Sequence, residues 1–547
     1  MNILLLTIGI STVVCLAIIG FLEKVQRKQS IHQQLGSLWL VWSDDRIPLY
    51  RLTTSFGRRK RRCDIALPET DSGISRIHGH IANKNGCFFI YPAKKKDGSY
   101  TEILVNGAKV HPAGAKLDRY SRIKISNTHL HLEEQEMGIL TSPTENRFFR
   151  MVWSNPAIAK IVGLFLSSLF MVVLFLKVES IVPADNKHLL MASLIINLTL
   201  LLTGVGYSIL TKAYFQPIIC SAVIILAVAS SFQSFFPSYE GFLLKLYLGV
   251  TAGIATYFIW PRILMKNWHY NAIFLVVVLL LLLNLFFGRD VNGARLWVGP
   301  VQPGEIIKTL LLPLLSAYCT TNRQKILYCL SCVISCAVLL YLKDFGSVLI
   351  IGAMLMVQLY LLYDNRLLSL LLIAGTICGL FGLVSLFPHA ISRLENWGKA
   401  MTIIPGGQQK QIILATLLGG FGGLGEHSEI FTGIFAVATD AALCGVQALL
   451  SWPVLVTVLC CYALLAYTSG FNCSVRPSDY FLHTALASLV TLHILLNLGG
   501  SVDLLPFSGV VTFWVSSGGT SAMTFAMLLG ICASVTNPNH SIKLKGA

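Results

Sequence analysis

Long apolar runs alternate with short polar segments over most of the chain. From residue 156 onward each run approaches the roughly 20 residues that an α-helix needs to cross a bilayer, and we predict twelve spans there. Their expected positions are 156–177, 188–210, 217–236, 242–260, 272–287, 304–319, 326–342, 346–363, 367–386, 449–469, 480–500 and 509–533. An earlier apolar run, before the basic stretch EKVQRK, lacks a cleavage site and predicts an uncleaved anchor helix over residues 1–22.

Residues 36–136 show a different pattern, polar and rich in turns. Short runs such as SLWLVW, CFFIYP and SRIKIS have the usual strand length, and Asn85-Gly86 is typical of a hairpin turn. We predict an all-β sandwich here. The chain therefore divides into the anchor (1–22), this β domain (36–136) and a multi-span membrane domain (156–535).

Composition agrees with a polytopic α-helical membrane protein. Hydrophobic residues make up 54% of the chain and charged residues 12%, which excludes a soluble protein of this length. The net charge of +16 is scattered between apolar runs, as in cytoplasmic loops, and does not indicate nucleic-acid binding. Most of the 14 cysteines lie in apolar runs, so we expect neither disulfides nor a metal site.

The positive-inside rule gives a consistent topology for the predicted spans. Basic connections such as TTNRQK and YDNR fall on the cytoplasmic side, together with the β domain. The polar segments GRDVNGARLWVG, KDFGS and SVDLLPFSG fall outside, as does the long loop 388–448. Long loops between spans are usually functional, so we expect the chemistry on the extracytoplasmic face.

The β domain carries three motifs in a telling order: FGRR at 56–59, SRIH at 75–78 and LVNG at 104–107. This series resembles a forkhead-associated (FHA) domain, a family that binds phosphothreonine peptides. The resemblance implies a phosphothreonine-containing partner, downstream of a Ser/Thr kinase, and His78 as a structural residue. It implies that the peptide is contacted by Arg58, Ser75, Arg76, Thr101 and Asn106.

The FHA resemblance has one departure and one alternative. The family usually has Thr-Asn shortly before the VNG turn, whereas this chain has Tyr100 and Thr101. The basic run from Arg58 to Arg62 is also consistent with a solvated edge near anionic lipid headgroups.

The outer segments of the membrane domain carry a second resemblance. They contain NGARLWVGPVQPGEIIK at 292–308, Asp-Phe-Gly at 344–346, the glycines of the long loop, and LLP followed by SSGGTS at 516–521. In this order the segments resemble the SEDS family, the FtsW, RodA and SpoVE glycosyltransferases that polymerise peptidoglycan from lipid II, serving cell elongation, division or sporulation. The likeness covers roughly residues 156–535.

The SEDS resemblance implies an enzyme whose catalytic residue is Asp440, by its match to the Thr-Asp that closes the family's long loop. Glycan extension needs a base for the attacking hydroxyl and cations for the leaving pyrophosphate. The implied substrate-binding residues are Arg295, Glu305, Lys308, Asp344, Arg393, Gln408, Gln411 and Ser517. The resemblance also implies a class B penicillin-binding protein as partner.

Alternatives stay open for these residues. Arg295 and Lys308 also fit interfacial anchoring, and Glu305 can pair with Lys308 at i, i+3 on one helix face. Glu426, His427 and Glu429 could bind Mg²⁺ or Mn²⁺, although exposed loop residues of this kind are more often solvated, and no cofactor is assigned.

Two other functions remain alternatives to polymerisation. After Asp440 the chain reads AALCGVQALL, without the glutamates usual in the family. A catalytically silent scaffold recruited through its FHA domain would explain this departure. A flippase for a lipid-linked precursor would require alternating access, and the internal repeat typical of such transporters is not visible in the sequence.

Overall fold

The computed structural model describes most of the chain. The described residues are 2–17, 38–42, 45–48, 53–58, 63, 65–67, 71, 73–75, 77–84, 87–95, 97–118, 121–134, 156–210, 216–263, 269–291, 294–319, 322–362, 366–385, 391, 394–395, 397–399, 401, 407–434, 437–471 and 477–536. They form two compact units, a helical one comprising residues 1–21 and 155–547 and a β unit comprising residues 22–154.

The β unit is a two-sheet sandwich. Its strands are β1 (Leu38–Trp42), β2 (Asp45–Pro48), β3 (Thr53–Gly57), β4 (Ile65–Ala66), β5 (Gly79–Lys84), β6 (Cys87–Pro92), β7 (Leu104–Val105), β8 (Ala108–Lys109), β9 (Ala115–Leu117), β10 (Arg122–Ile125) and β11 (Thr128–Glu134). One sheet has the order β2-β1-β11-β10-β7-β8 and the other β4-β3-β5-β6-β9. The predicted all-β sandwich is confirmed.

Alternating apolar residues of both sheets fill the core of the β unit. In β10, Ile123 and Ile125 point inward between exposed Arg122 and Lys124, the two-residue period of a strand with one buried face. They pack with Leu40, Phe56, Ile90 and other buried residues in one cluster. The hairpin predicted around Asn85-Gly86 joins β5 to β6, with Lys84 opposite Cys87; the turn residues themselves lie outside the described part.

The second unit consists of helices. They are α1 (Asn2–Ala17), α2 (Pro156–Glu179), α3 (Ala184–Leu210), α4 (Gln216–Gln233), α5 (Tyr239–Ile263), α6 (His269–Phe287), α7 (Pro303–Ile306), α8 (Leu312–Ala317), α9 (Asn322–Tyr341), α10 (Phe345–Leu362), α11 (Arg366–Ser385), α12 (Gln408–Gly419), α13 (Glu429–Thr432), α14 (Val437–Asp440), α15 (Ala442–Gly445), α16 (Trp452–Phe471), α17 (Pro477–Ser501) and α18 (Gly519–Thr536). A hairpin of β12 (Arg289–Val291) and β13 (Ala294–Trp297) follows α6.

Among the described residues, seven helices are long and apolar enough to cross a membrane, and five shorter apolar helices accompany them. Each of the twelve predicted spans contains a helix, which confirms the polytopic helical architecture. The span predicted over 304–319 is built from α7 and α8, joined by the π-helical turn Ile307–Leu311.

The last span begins later than predicted. Residues 509–518 are not helical, and α18 starts at Gly519. Gly509 and Trp514 have φ of +65°, which a right-handed helix does not allow. This non-helical stretch, residues 509–518, is called the outer strap below, after the extracytoplasmic side that the charge pattern predicts for the adjacent segment SVDLLPFSG. It matters because several of its groups contact the residues around Asp440.

The N-terminal helix is an integral part of the helical unit. Gly9 of α1 lies so close to Thr457 of α16 that a Cβ there would collide with the threonine side chain, and the same Cβ would lie 3.4 Å from the Phe170 ring of α2. Small residues allow helices to approach closely in membranes. The predicted anchor helix therefore packs against both α2 and α16.

Candidate functional site

The segment that carries Asp440 is held by its backbone carbonyls. Gln233 Nε2 donates to Ala438 O at 3.0 Å, and the Ser517 amide donates to the same oxygen at 3.1 Å. Ser516 Oγ donates to Thr439 O at 2.7 Å. Carbonyls at the end of a short helix such as α14 have no intrahelical partner, so these donors complete the backbone of the segment.

Asn497 on α17 completes this arrangement. Its Nδ2 donates to Asp440 O at 3.0 Å and to Val510 O at 2.8 Å, while its Oδ1 accepts from the Leu443 amide at 3.2 Å. One side chain therefore connects the residues on both sides of Asp440 to the outer strap.

The Asp440 carboxylate lies beside Gly509. The side chain is half-buried, and a Cβ added to Gly509 would lie 3.7 Å from Oδ2. Gly509 has φ of +65°, a conformation in which side chains are strained. A Cβ would be in ordinary van der Waals contact with the carboxylate, so the backbone turn is what favours glycine at this position.

Glu305 and Lys308 form a buried ion pair. Nζ and Oε1 are 2.6 Å apart, and the two side chains are 3% and 5% exposed. Lys308 also donates to Ser347 Oγ at 2.9 Å, and the Ser347 amide donates to Asp344 Oδ1 at 3.0 Å. The structure therefore brings together three predicted site residues, Glu305, Lys308 and Asp344, in one polar network. Burial inside the bundle is incompatible with interfacial snorkelling of Lys308.

Glu305 keeps one oxygen open. Among the described residues no hydrogen-bond partner reaches its Oε2, although that atom is buried. A buried carboxylate oxygen without a donor is costly unless something else binds it.

The other predicted site residues differ in exposure. Arg295 is exposed on β13, where its backbone amide donates to Leu342 O at 3.3 Å. Gln408 is half-buried and Gln411 exposed in the first turn of α12, while Ser517 lies half-buried at the end of the outer strap. Arg393 falls outside the described residues.

The glutamate and histidine candidates for metal binding are widely exposed. His427 Nδ1 and Glu429 Oε1 are 3.9 Å apart, with side chains 76% and 72% exposed. Within the described ranges no group of three His, Cys, Asp or Glu side chains is arranged to hold a metal ion. This part of the loop is arranged as a solvated surface.

An apolar cavity of about 460 Å³ lies between α3, α4, α5 and α18. Tyr207, Tyr257 and Trp514 are among its lining residues. Trp514 belongs to the outer strap, and its Nε1 donates to Ala522 O at 3.2 Å. The cavity is thus connected through one residue to the stretch that contacts Asp440.

In the β unit, His78 organises the loops that carry the phosphopeptide candidates. Its Nδ1 accepts from the Ser75 amide at 3.0 Å, and its Nε2 lies 2.9 Å from Glu102 O. The Arg58 amide donates to Ser75 O at 3.0 Å, which places these two residues side by side. Burial lowers the pKa of His78, so the ring is neutral near pH 7.

Two of the phosphopeptide candidates have structural contacts of their own. Thr101 is buried, and its hydroxyl donates to the His78 carbonyl and accepts from the Ala93 amide. Asn106 sits at φ of 51° and accepts from the Arg122 amide at 2.8 Å. Both side chains fix loops, while a contact with peptide stays a prediction. Arg76 is outside the described residues.

Family comparison decides what the helical unit is. A model of the FtsW/RodA/SpoVE family, described as a cell cycle protein, matches residues 207–541, more than half of the chain. The chain belongs to the FtsW/RodA/SpoVE family. The FHA domain model matches residues 54–126, so this FtsW/RodA/SpoVE protein carries an FHA domain in its β unit.

Relatives of this FtsW/RodA/SpoVE protein are distant. It is 27% identical over 278 residues to the peptidoglycan glycosyltransferase RodA of Mycobacterium leprae, covering 45% of this chain and 59% of that relative. It is 27% identical over 287 residues to the probable peptidoglycan glycosyltransferase FtsW of Allochromatium vinosum, covering 48% and 71%. The chain thus spans about three fifths of the mycobacterial RodA.

A solved structure of a peptidoglycan synthase complex that coordinates polymerization and crosslinking contains a similar chain. The identity is 22% and the TM-score 0.46, over 58% of this chain and 96% of that one.

Two residues of this FtsW/RodA/SpoVE protein that contact the Asp440 segment or the outer strap could not be singled out from the sequence. Gln233 and His493 lie in apolar runs, where a single polar residue is normally a satisfied core residue. His493 is fully buried and donates through Nδ1 to Val511 O of the outer strap at 2.6 Å. Their proximity to the motif residues is created by the fold, and no local pattern announces it.

Proposed function

We propose that this protein polymerises lipid II, the undecaprenyl-pyrophosphate-linked disaccharide peptide, into glycan strands at the outer face of the bacterial plasma membrane. The observation that carries the proposal is the half-buried Asp440 carboxylate beside Gly509, on a segment whose backbone is hydrogen-bonded by Gln233, Ser516 and Asn497. Family membership and relatives that are named peptidoglycan glycosyltransferases support it.

The reaction assigns a role to each cluster. Asp440 takes the proton of the attacking sugar hydroxyl. The hydroxyl oxygen then bonds to the anomeric carbon of the donor, and the bond from that carbon to the pyrophosphate breaks. The leaving pyrophosphate needs cations. Arg295 is exposed and forms no ion pair with any residue that the structure describes, whereas the charge of Lys308 is already balanced by Glu305. We therefore assign pyrophosphate to Arg295 and Arg393, and sugar positioning to the Glu305–Lys308–Asp344 network.

The lipid tail of the donor also needs a place. A polyprenyl chain is purely apolar, and the cavity among α3, α4, α5 and α18 is lined almost entirely by apolar side chains.

Sidedness belongs to this proposal. Positive charge in the predicted inner loops supports a cytoplasmic FHA domain and an extracytoplasmic segment 388–448. In such an arrangement the FHA domain would bind a phosphothreonine-containing protein through Arg58 and Ser75. A phosphothreonine peptide library tests this: we expect binders that Arg58→Ala loses, whereas absence of any phosphothreonine-dependent binder would contradict it.

The partner outside the membrane is proposed by family resemblance to be a class B penicillin-binding protein. Short polar segments on the proposed outer face offer a surface for it. Mild detergent extraction should co-purify the two proteins, and recovery of this chain alone under those conditions would count against the pairing.

Purified protein and lipid II test the proposed reaction directly, with and without the partner. Gel separation of the products should show glycan strands longer than the substrate. Transfer of labelled lipid II across vesicle membranes without strand formation would favour the flippase. Neither activity, together with a cell-wall defect on deletion, would favour the silent scaffold.

A further inference from the structure

Lys177, in the last turn of α2, reaches the segment that follows Asp440. Its Nζ donates to Asn2 Oδ1 at 2.7 Å, to Gly422 O at 3.1 Å and to the Leu450 carbonyl. A lysine ammonium has three N–H donors, and all three are used here. The half-buried side chain therefore joins three separate parts of the chain at one point.

One of these acceptors, Leu450 O, lies at the end of segment 437–450, which carries Asp440. The helix α15 runs into the π-helical turn Val446–Leu450, and the helical path breaks at Ser451, whose φ is 145°. Carbonyls at the end of a helix lack partners and carry partial negative charge. A cation at Leu450 O therefore stabilises this end of the segment.

Another acceptor belongs to the glycine turn of the long loop, and that turn is bonded to the same π-helical stretch. The Leu424 amide donates to Ala448 O at 2.7 Å, and Gln447 Nε2 donates to Gly420 O at 2.7 Å. By contacting both Gly422 O and Leu450 O, Lys177 ties the two stretches together at their outer edge.

Asn2 orients the lysine from the other side. Its Oδ1 accepts from Nζ, and its Nδ2 lies 3.4 Å from Gly422 O. Both α1 and α2 precede the residues that match the family model, 207–541. The contact is thus made by helices outside the matched region onto a segment inside it, and these are the helices that flank the β unit in sequence.

We propose that Lys177, oriented by Asn2, is a positioning residue for Asp440. It fixes the far end of segment 437–450, so that the carboxylate stays beside Gly509 during turnover. The effect on catalysis rests on the proposed polymerase function. The brace, meaning the hydrogen bonds from Lys177 to Asn2, Gly422 and Leu450, is tested by a measurement that needs no enzymatic activity.

The test uses the full-length protein in nanodiscs and three variants. Lys177→Met removes the ammonium and keeps the length of the side chain. Asn2→Leu removes only the orienting amide, and serves if Lys177→Met fails to fold. Lys187→Met is the matched control, because Lys187 forms an exposed pair with Glu179 at 3.3 Å near the same end of α2. Amide hydrogen exchange over residues 420–451 and the kcat and KM for lipid II are measured for each.

Lys177→Met should speed exchange of the 420–451 amides by about ten-fold or more, since bonds to a charged donor are lost. It should lower kcat by about ten-fold while KM changes less than about two-fold, because substrate contacts remain. Asn2→Leu should also speed amide exchange and lower kcat, as Lys177→Met does. Lys187→Met should match wild type in both measurements.

Unchanged exchange in Lys177→Met would overturn the brace. Faster exchange with unchanged kcat would overturn the positioning role. If wild type forms no glycan, the proposed function fails separately, and exchange alone then decides whether Lys177 holds the segment.

Discussion

At the scale of single residues, the Glu305–Lys308 pair gives the sharpest expectation for stability. Both side chains are buried, so removing one charge leaves the other unpaired. We expect Lys308→Met to cost about 3–5 kcal/mol of unfolding free energy. The double variant Glu305→Gln with Lys308→Met should recover most of that loss.

The exposed pair Lys187–Glu179, at 3.3 Å, is the control. Lys187→Met should cost at most about 1 kcal/mol, since exposed pairs contribute little. Unfolding in detergent titrations measures each variant. Equal losses of unfolding free energy in Lys308→Met and Lys187→Met would contradict this expectation and show that the charges of the buried pair are neutralised in another way.

Gln233 gives a second residue-scale prediction, one that separates stability from activity. Gln233→Leu leaves Ala438 O and Val515 O without this donor, and should cost roughly 1–3 kcal/mol and lower polymerisation. Gln216 lies at the other end of α4 and donates to Lys160 O at 2.8 Å. Gln216→Leu should cost a similar amount and leave polymerisation intact. Equal activity in the two variants would contradict a role for Gln233 at the site.

Single motif residues could be predicted from the sequence because their types follow from the chemistry and their order from the family. Asp440, Glu305, Lys308 and Ser517 all fall in or beside the two clusters. Gln233 could not be predicted, because its partner Ala438 is 205 positions away. A glutamine in an apolar run looks the same whether it bonds a neighbouring turn or a catalytic segment.

At the scale of elements, the loop network around His78 makes the β unit sensitive to acid. The pKa of His78 is lowered chiefly by burial, and burial also lowers the pKa of His80. The folded state therefore binds fewer protons than the unfolded state, so stability is full above the ordinary histidine pKa of about 6.5 and falls as pH drops through the folded pKa.

Urea unfolding of residues 22–154, followed by tryptophan fluorescence, checks this expectation. The urea concentration at the midpoint of unfolding should decrease when the pH is lowered from 7.5 to 5. A His78→Gln variant should be less stable than wild type at pH 7.5, but its urea midpoint should decrease less between pH 7.5 and pH 5. The remaining decrease should be removed by His80→Gln. Asp71, whose pKa is lowered chiefly by its hydrogen bond from Ser126, titrates in a more acidic window. A constant midpoint from pH 7.5 to 5 would contradict the network.

Most helices could be predicted because a run of apolar residues long enough to cross a bilayer leaves the backbone few alternatives. The exception is instructive: residues 509–518 are apolar enough to extend the last span, yet they form the outer strap. Positive φ at Gly509 and Trp514, and carbonyl partners supplied by Asn497 and His493, stabilise this non-helical path. Such partners come from tertiary structure and leave no periodic signal.

At the scale of the whole molecule, the topology predicts which surfaces reagents can reach. A cysteine in place of His427, whose side chain is 76% exposed, should react with an impermeant thiol reagent on intact cells. A cysteine in place of exposed Ala108 in the β unit should react only after permeabilisation. Reactivity is compared with that of the unsubstituted protein. The opposite pattern would invert the map of inner and outer faces.

The division into a β sandwich and a helical membrane unit could be predicted from the sequence, because long apolar runs and short, turn-bounded runs occupy separate stretches of the chain. The participation of the N-terminal helix could not be predicted. An apolar run before a basic stretch indicates an anchor, but its packing against Phe170 and Thr457 depends on the shape of the finished bundle.

The most direct test of the account is polymerisation of lipid II by Asp440→Asn. This change keeps the size of the side chain and leaves the Asp440 carbonyl, which Asn497 binds, in place. Glu429→Gln, an exposed carboxylate of the same loop, is the control. We expect Asp440→Asn to fold and insert like wild type and to lose glycan synthesis by at least about 100-fold, while Glu429→Gln stays active. Glycan synthesis at the wild-type rate in Asp440→Asn would contradict the account and move the search for the base to Asp344 or Glu305.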